Sequence, residues 1–171
     1  MEIDIVGNKK SWIKLTYNGV YNFDILYRDI INTFKKNGYF FNEKGHTEMV
    51  KPAGKDHIIL FEASREVDNY ARYLIKIEIW GMGMKDVSIK EEWGRKIKTV
   101  KGEIQIRIKG SMDIDFKGRF DKYGKLGKVM RNFYNKYIIS KRIWGKYTVE
   151  VYTETNELIS NLKKDLGMAG Y

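Results

Sequence analysis

From Val100 to Phe120 the chain alternates without a break. Val100, Gly102, Ile104, Ile106, Ile108, Gly110, Met112, Ile114, Phe116, Gly118 and Phe120 are apolar or glycine, and every residue between them is polar. A period of two puts successive side chains on opposite faces, so the pattern predicts a strand with one dry and one wet face. Fully straight, it would reach about 70 Å, against about 17–20 Å for an ordinary strand. It must bend or fold. Gly102, Gly110 and Gly118 recur every eight residues on the dry face and are the expected kinks. A two-residue hairpin at Gly110-Ser111 would oppose Lys109 to Met112 and Ile108 to Asp113, mixing apolar and polar positions on one face. Either the strand runs on through Gly110 or a loop of odd length reverses it.

The same rule organises the rest of the chain. Ile13, Leu15 and Tyr17 alternate in a short strand ending at Asn18-Gly19. Phe23, Leu26, Tyr27, Ile30 and Phe34 then fall at helical spacing, with Asn22 placed to cap the start and Lys35, Lys36 and Gly38 to stop it. Extended segments follow over 39–50 and 57–67, joined by a turn over 52–56. Tyr73, Ile75, Ile77 and Ile79 alternate, Gly81 and Gly83 continue their face, and Val87 and Ile89 follow in phase. A three-residue loop, Glu92-Trp93-Gly94, opposes Val87 to Thr99, Ile89 to Ile97 and Glu91 to Arg95. The apolar phase then passes from odd to even positions, which predicts a bulge near Lys98 or Thr99.

After Asp121 the period becomes helical. Leu126, Val129, Met130, Phe133, Tyr134, Tyr137 and Ile138 form one stripe, expected to be buried, with Lys125, Lys128, Arg131 and Lys136 on the opposite side. Tyr147, Val149 and Val151 suggest a brief strand or extended link. A last helix carries Thr155, Leu158, Ile159, Leu162 and Leu166 and stops at Gly167. The order predicts one α+β domain over 1–171. Its architecture is a curved antiparallel sheet, a meander of about six to seven strands, with helices on the concave face.

Composition narrows the chemistry. A chain of 171 residues with 43% hydrophobic positions buries a sizeable core, roughly 70% of its unfolded surface. The absence of cysteine excludes disulfides, thiol catalysis and zinc–thiolate sites. The start carries acids where a signal peptide carries its basic region, and no apolar run reaches spanning length, which reads as a non-exported, cytoplasmic protein. The net charge of +10 is uneven: 122–146 holds eight basic residues and no acidic one. That basic amphipathic segment is the leading candidate site. Lys125, Lys128, Arg131, Lys136, Lys141 and Arg142 would contact an anionic partner, either nucleic acid, with Tyr123, Tyr134 and Trp144 near for stacking, or an acidic surface such as a membrane.

A second candidate is an apolar-ligand pocket over the glycine-notched sheet, lined by Ile77, Ile79, Ile106, Met112 and Phe116. Self-assembly through exposed strand edges is a third. No catalytic constellation, metal set or cofactor motif stands out. Asp113 and Asp115 share the wet face, where pairing with lysines is the ordinary role. His46 and His57, the only histidines, have no triad spacing, and His57 is expected to cap or face solvent. Gly81-Met-Gly-Met84 lacks the third glycine and the helix of a phosphate loop. The expected activity is binding rather than catalysis.

The stretches over 38–44, 68–79, 102–108 and 115–120 resemble an uncharacterised family of small archaeal proteins, a resemblance that implies no activity. The order of sheet and helices is also similar to the helix-grip ligand-binding fold, which implies a curved sheet wrapped around a long helix.

Overall fold

A computed structural model describes residues 1–7, 12–90 and 96–168, with the backbone alone for 89–90 and 96–98. Six strands form one antiparallel sheet: β1 (Glu2–Val6), β2 (Ile13–Tyr21), β3 (Phe40–Lys51), β4 (Gly54–Glu66), β5 (Ala71–Lys90) and β6 (Lys96–Ile114). Three helices pack with it as a single α+β domain: α1 (Phe23–Lys36), α2 (Gly124–Phe133) and α3 (Thr148–Asp165). A 3-10 turn (Asp121–Tyr123) precedes α2, and two π-helical turns (Tyr134–Ile138 and Arg142–Tyr147) join α2 to α3.

β6 is the spine. One edge pairs with β5 along its whole length, including Ile89 with Ile97 and Val87 with Thr99. Its other edge takes β2 against Val100–Ile108 and β1 against Gly110–Asp113. β3, β4 and β5 complete a meander on the far side. The parity argument holds: the strand passes straight through Gly110-Ser111. The loop containing Glu91, Glu92, Trp93, Gly94 and Arg95 lies outside the described residues.

Four expectations need correction, the first being the end of the strand that begins at Ile13, which pairs with β6 through Asn18-Gly19 as far as Tyr21. The alternation ends as a strand at Ile114, not Phe120. Asp115 takes a positive φ of 56° and its carboxylate accepts the N–H of Arg119, while its carbonyl accepts that of Gly118. Local hydrogen bonds of this kind compete with the ladder and turn the chain. The bulge sits on β5 rather than near Lys98: between Met82 and Lys85 one residue is inserted, with Gly83 at φ 59° and its N–H donated to Asp56. Glycine takes that conformation without strain, so the bulge forms where glycine stands. The segment through Tyr147, Val149 and Val151 is helical, because these residues continue the turn that buries Ile143, Tyr147 and Val151. β1 was not anticipated, being a short strand held largely by its pairing with β6.

The sheet's inner face is dry. Ile59, Phe61, Ile75, Ile77, Ile79, Ile104, Ile106 and Ile108 are closed over by Leu26, Ile30 and Phe34 of α1 and Val151, Leu158 and Leu162 of α3. Asn22 caps α1 through its side-chain oxygen, accepting the N–H of Ile25 at 3.1 Å, as its position implies. Gly110 has a specific role. A β-carbon there would lie 2.4 Å from the Thr155 hydroxyl, so glycine lets α3 cross β6 at close range. Arg65 ties the first half of that helix down, donating to Glu154 at 2.6 Å, while the Tyr39 and Tyr73 hydroxyls donate to Glu154 and Glu150 at 2.6 Å.

Between α1 and α3 lies a polar cleft of about 390 Å³ that brings Asp29 close to Asp165. Burial first, and the Asp29 carboxyl second, hold Asp165 above its ordinary value of 3.8. The folded chain therefore keeps that proton at a pH where the unfolded chain has lost it, and stability falls as pH rises through this range. Replacing Asp165→Asn should raise stability at pH 7, with the gain vanishing below the ordinary carboxyl value. Urea unfolding of both proteins across that range checks it, and an equal effect at both ends would show that the pair is not strained by charge.

Candidate functional site

The segment 121–147 starts from a buried acid. The Asp115 side chain is 0% exposed, and a carboxylate out of water needs donors. It receives the Arg119 N–H at 2.7 Å and the Arg131 guanidinium at 3.3 Å, with Arg131 also 3.5 Å from Asp121. One turn earlier stands Gly127, where a β-carbon would lie only 2.0 Å from the Phe120 carbonyl oxygen. One turn later, the Tyr134 ring sits 5.3 Å from Tyr70 and 5.6 Å from Phe120. The Tyr70 hydroxyl donates to Asn135. Burial, and after it the nearby Asp115, push Tyr70 up to about 12, which keeps it a donor. Gly127, Arg131, Tyr134 and Asn135 thus form the inward face of this helical run.

That choice turns the apolar stripe outward. Leu126, Val129, Phe133, Tyr137, Ile138 and Trp144 are 58–65% exposed, which reverses the expectation that the stripe is buried. Phe120, Val129, Met130, Phe133, Tyr134 and Ile138 line an apolar groove of about 340 Å³. The physical reason is competition. α1 and α3 already cover the sheet, and the buried Asp115 is better served by the arginine than by leucine or valine.

The six candidate cations separate into two groups. Arg131 is an anchor. Arg142 acts on Asp68, whose carboxyl is pushed up by burial. The Tyr147 hydroxyl, the N–H groups of Ala71 and Tyr70, and Arg142 together outweigh that and hold it below the usual range. Lys125, Lys128, Lys136 and Lys141 are exposed and make no ion pair among the described residues. Lys136 lies over the Tyr137 ring at 5.1 Å. Lys125 and Lys128, three residues apart, share one side of α2 beside the apolar stripe. The groups that sequence reasoning missed as anchors are Asp115 and Gly127; the Asp115-Phe-Lys-Gly118 turn was their only signal.

The other candidates lie elsewhere. Ile77, Ile79, Ile106 and Met112 are core residues at most 1% exposed. Phe116 stands apart on the turn, with the Arg72 guanidinium over its ring at 5.2 Å, so the five do not line one cavity. Asp113 points away from Asp115, pairing with the Met1 amine at 2.7 Å and Arg72 at 3.0 Å. Gly81 and Gly83 belong to the β5 bulge region rather than to a phosphate loop. Among the described residues no helix is long and apolar enough to cross a membrane, and no three acidic or histidine residues form a metal set. The chain matches no family model, no curated protein and no solved structure, so the geometry carries the functional reading.

The two groups of cations should behave differently on mutation. Replacing Arg131→Met leaves Asp115 buried without its charge partner and should lower stability by about 3 kcal/mol. The pair Lys125→Glu and Lys128→Glu should leave stability within about 0.5 kcal/mol of the parent. Urea midpoints decide it; equal losses would mean that the lysines also anchor the helix.

Proposed function

We propose that this protein is a non-enzymatic binding protein that docks on an anionic lipid surface through the basic amphipathic segment 122–146. The observation that carries the reading is an outward stripe of aliphatic and aromatic side chains beside lysines that make no ion pair among the described residues. Helices of this composition lie in the membrane interface, apolar side down, with lysines at the acidic headgroups. Trp144 and Tyr137 suit the boundary, where one end of a ring is dry and the other wet.

Charge and shape weigh against the other occupants. Nucleic acid would use the lysines and stack on aromatic rings, but it offers nothing to Leu126, Val129, Met130 and Ile138. A second copy docked through the same face would bring two segments without acidic residues against each other, and like charges disfavour that contact. An acidic bilayer satisfies both halves of the surface.

Each lysine near an acidic membrane contributes about 1 kcal/mol, and a buried phenylalanine about 1.5–3 kcal/mol. Co-sedimentation with phosphatidylglycerol-containing vesicles should therefore show salt-sensitive binding, absent from pure phosphatidylcholine. The pair Lys125→Glu and Lys128→Glu should weaken it at least about 30-fold, and Phe133→Ser about 10-fold or more. Titration with single-stranded RNA supplies the other arm. RNA binding that depends on Lys125 and Lys128, without vesicle binding, would replace this reading with a nucleic-acid one.

A further inference from the structure

We propose that His46 and His57 form a zinc-binding site on the inner-face end of the β3–β4 hairpin, with Glu43 beside the His46 imidazole. This site is independent of the lipid-facing segment.

His46 lies on β3, opposite Ile59, and His57 on β4, opposite Glu48. Their facing nitrogens, Nε2 of His46 and Nδ1 of His57, are 3.3 Å apart. Two imidazoles bound to one zinc ion at about 2.0–2.1 Å and a tetrahedral angle place their nitrogens about 3.3–3.4 Å apart. The spacing thus accommodates an ion seated between them with little movement. An imidazole–imidazole hydrogen bond also spans this distance, but it uses one N–H and one lone pair, whereas the metal uses both lone pairs.

Two further observations point the same way. The pairing of β3 with β4 shifts register between Glu43 and Gly45, inserting Lys44 as a bulge. In an unbulged strand, Glu43 and His46 would face opposite sides of the sheet; the extra residue brings both to the inner side. There Glu43 approaches the other nitrogen of His46, Nδ1, at 3.8 Å. The Tyr27 hydroxyl donates to the second Glu43 oxygen at 2.7 Å. At 3.8 Å from His46 the carboxylate is a charged neighbour rather than a hydrogen-bond partner, and it favours the tautomer that carries the proton on Nδ1 and leaves Nε2 free for the ion. Phe23 flanks His57 with ring centroids 6.2 Å apart. Since the described residues contain no third acidic or histidine ligand in place, water completes the coordination. The His46 side chain is 45% exposed, so the ion has a path in from solvent.

The chain has only these two histidines and no cysteine, so histidine-dependent binding can reside nowhere else. Titration of the chelator-stripped full chain with Zn²⁺ should show one saturable site, and Co²⁺ in its place should give the intense visible bands of tetrahedral coordination. His46→Asn and His57→Asn should each weaken binding more than about 10-fold, and Glu43→Gln by about 10-fold. The parent's Co²⁺ spectrum needs no variant to fold. Absence of saturable binding in the parent, or binding that survives in the double histidine variant, would overturn the proposal.

Discussion

β6 must be hydrogen-bonded along both edges while one of its faces stays dry, and the rest of the fold answers that demand. Its edges are satisfied by β5 on one side and by β2 and β1 end to end on the other. Its dry face, Ile104, Ile106, Ile108, Gly110, Met112 and Ile114, needs a cover. α1 and α3 supply it, and Gly110 lets α3 approach near Thr155. Once those two helices are in place, the inner face is filled. α2 then has no dry surface left to cover, and its own apolar stripe is left outward.

The outward stripe is thus a consequence of core geometry and of one acid. Asp115 ends the long strand, folds back through its own side-chain hydrogen bond, and is buried in doing so. A buried carboxylate recruits Arg131, and Gly127 and Tyr134 pack on the same turn. The helix therefore docks by its polar and small face. A helix anchored this way presents leucine, valine and phenylalanine to its surroundings, and it does so beside lysines that make no ion pair among the described residues.

Most of the sheet was legible in the sequence, because a two-residue period can be satisfied in only one way when one face is buried. The register of Ile89 with Ile97 followed from parity alone; at Gly110-Ser111 parity ruled out a two-residue hairpin and left passage or an odd-length loop, and the strand runs on. The bulge position was not, since apolar phase reports that a residue is inserted somewhere and not on which strand; Gly83, with its positive φ, marked the place. The strand's end at Ile114 was hidden because Phe116, Gly118 and Phe120 keep the alternation while Asp115 breaks the ladder. The helix over 124–138 was found with its stripe and lysines in the right places but facing the wrong way. Amphipathicity defines two faces; which one turns inward depends on what the other helices have already covered.

The chain lacks cysteine, so a single introduced thiol can be labelled without ambiguity, and the central claim can be read directly by spin-label accessibility. A nitroxide on Phe133→Cys should be exposed to a water-soluble relaxation reagent in the free protein. With phosphatidylglycerol vesicles it should become shielded from that reagent and open to dissolved oxygen, while a nitroxide on Glu62→Cys stays unchanged. A label at position 133 that is already shielded in the free protein would contradict the outward stripe. One that stays equally accessible with vesicles present would contradict the membrane-facing role built on it.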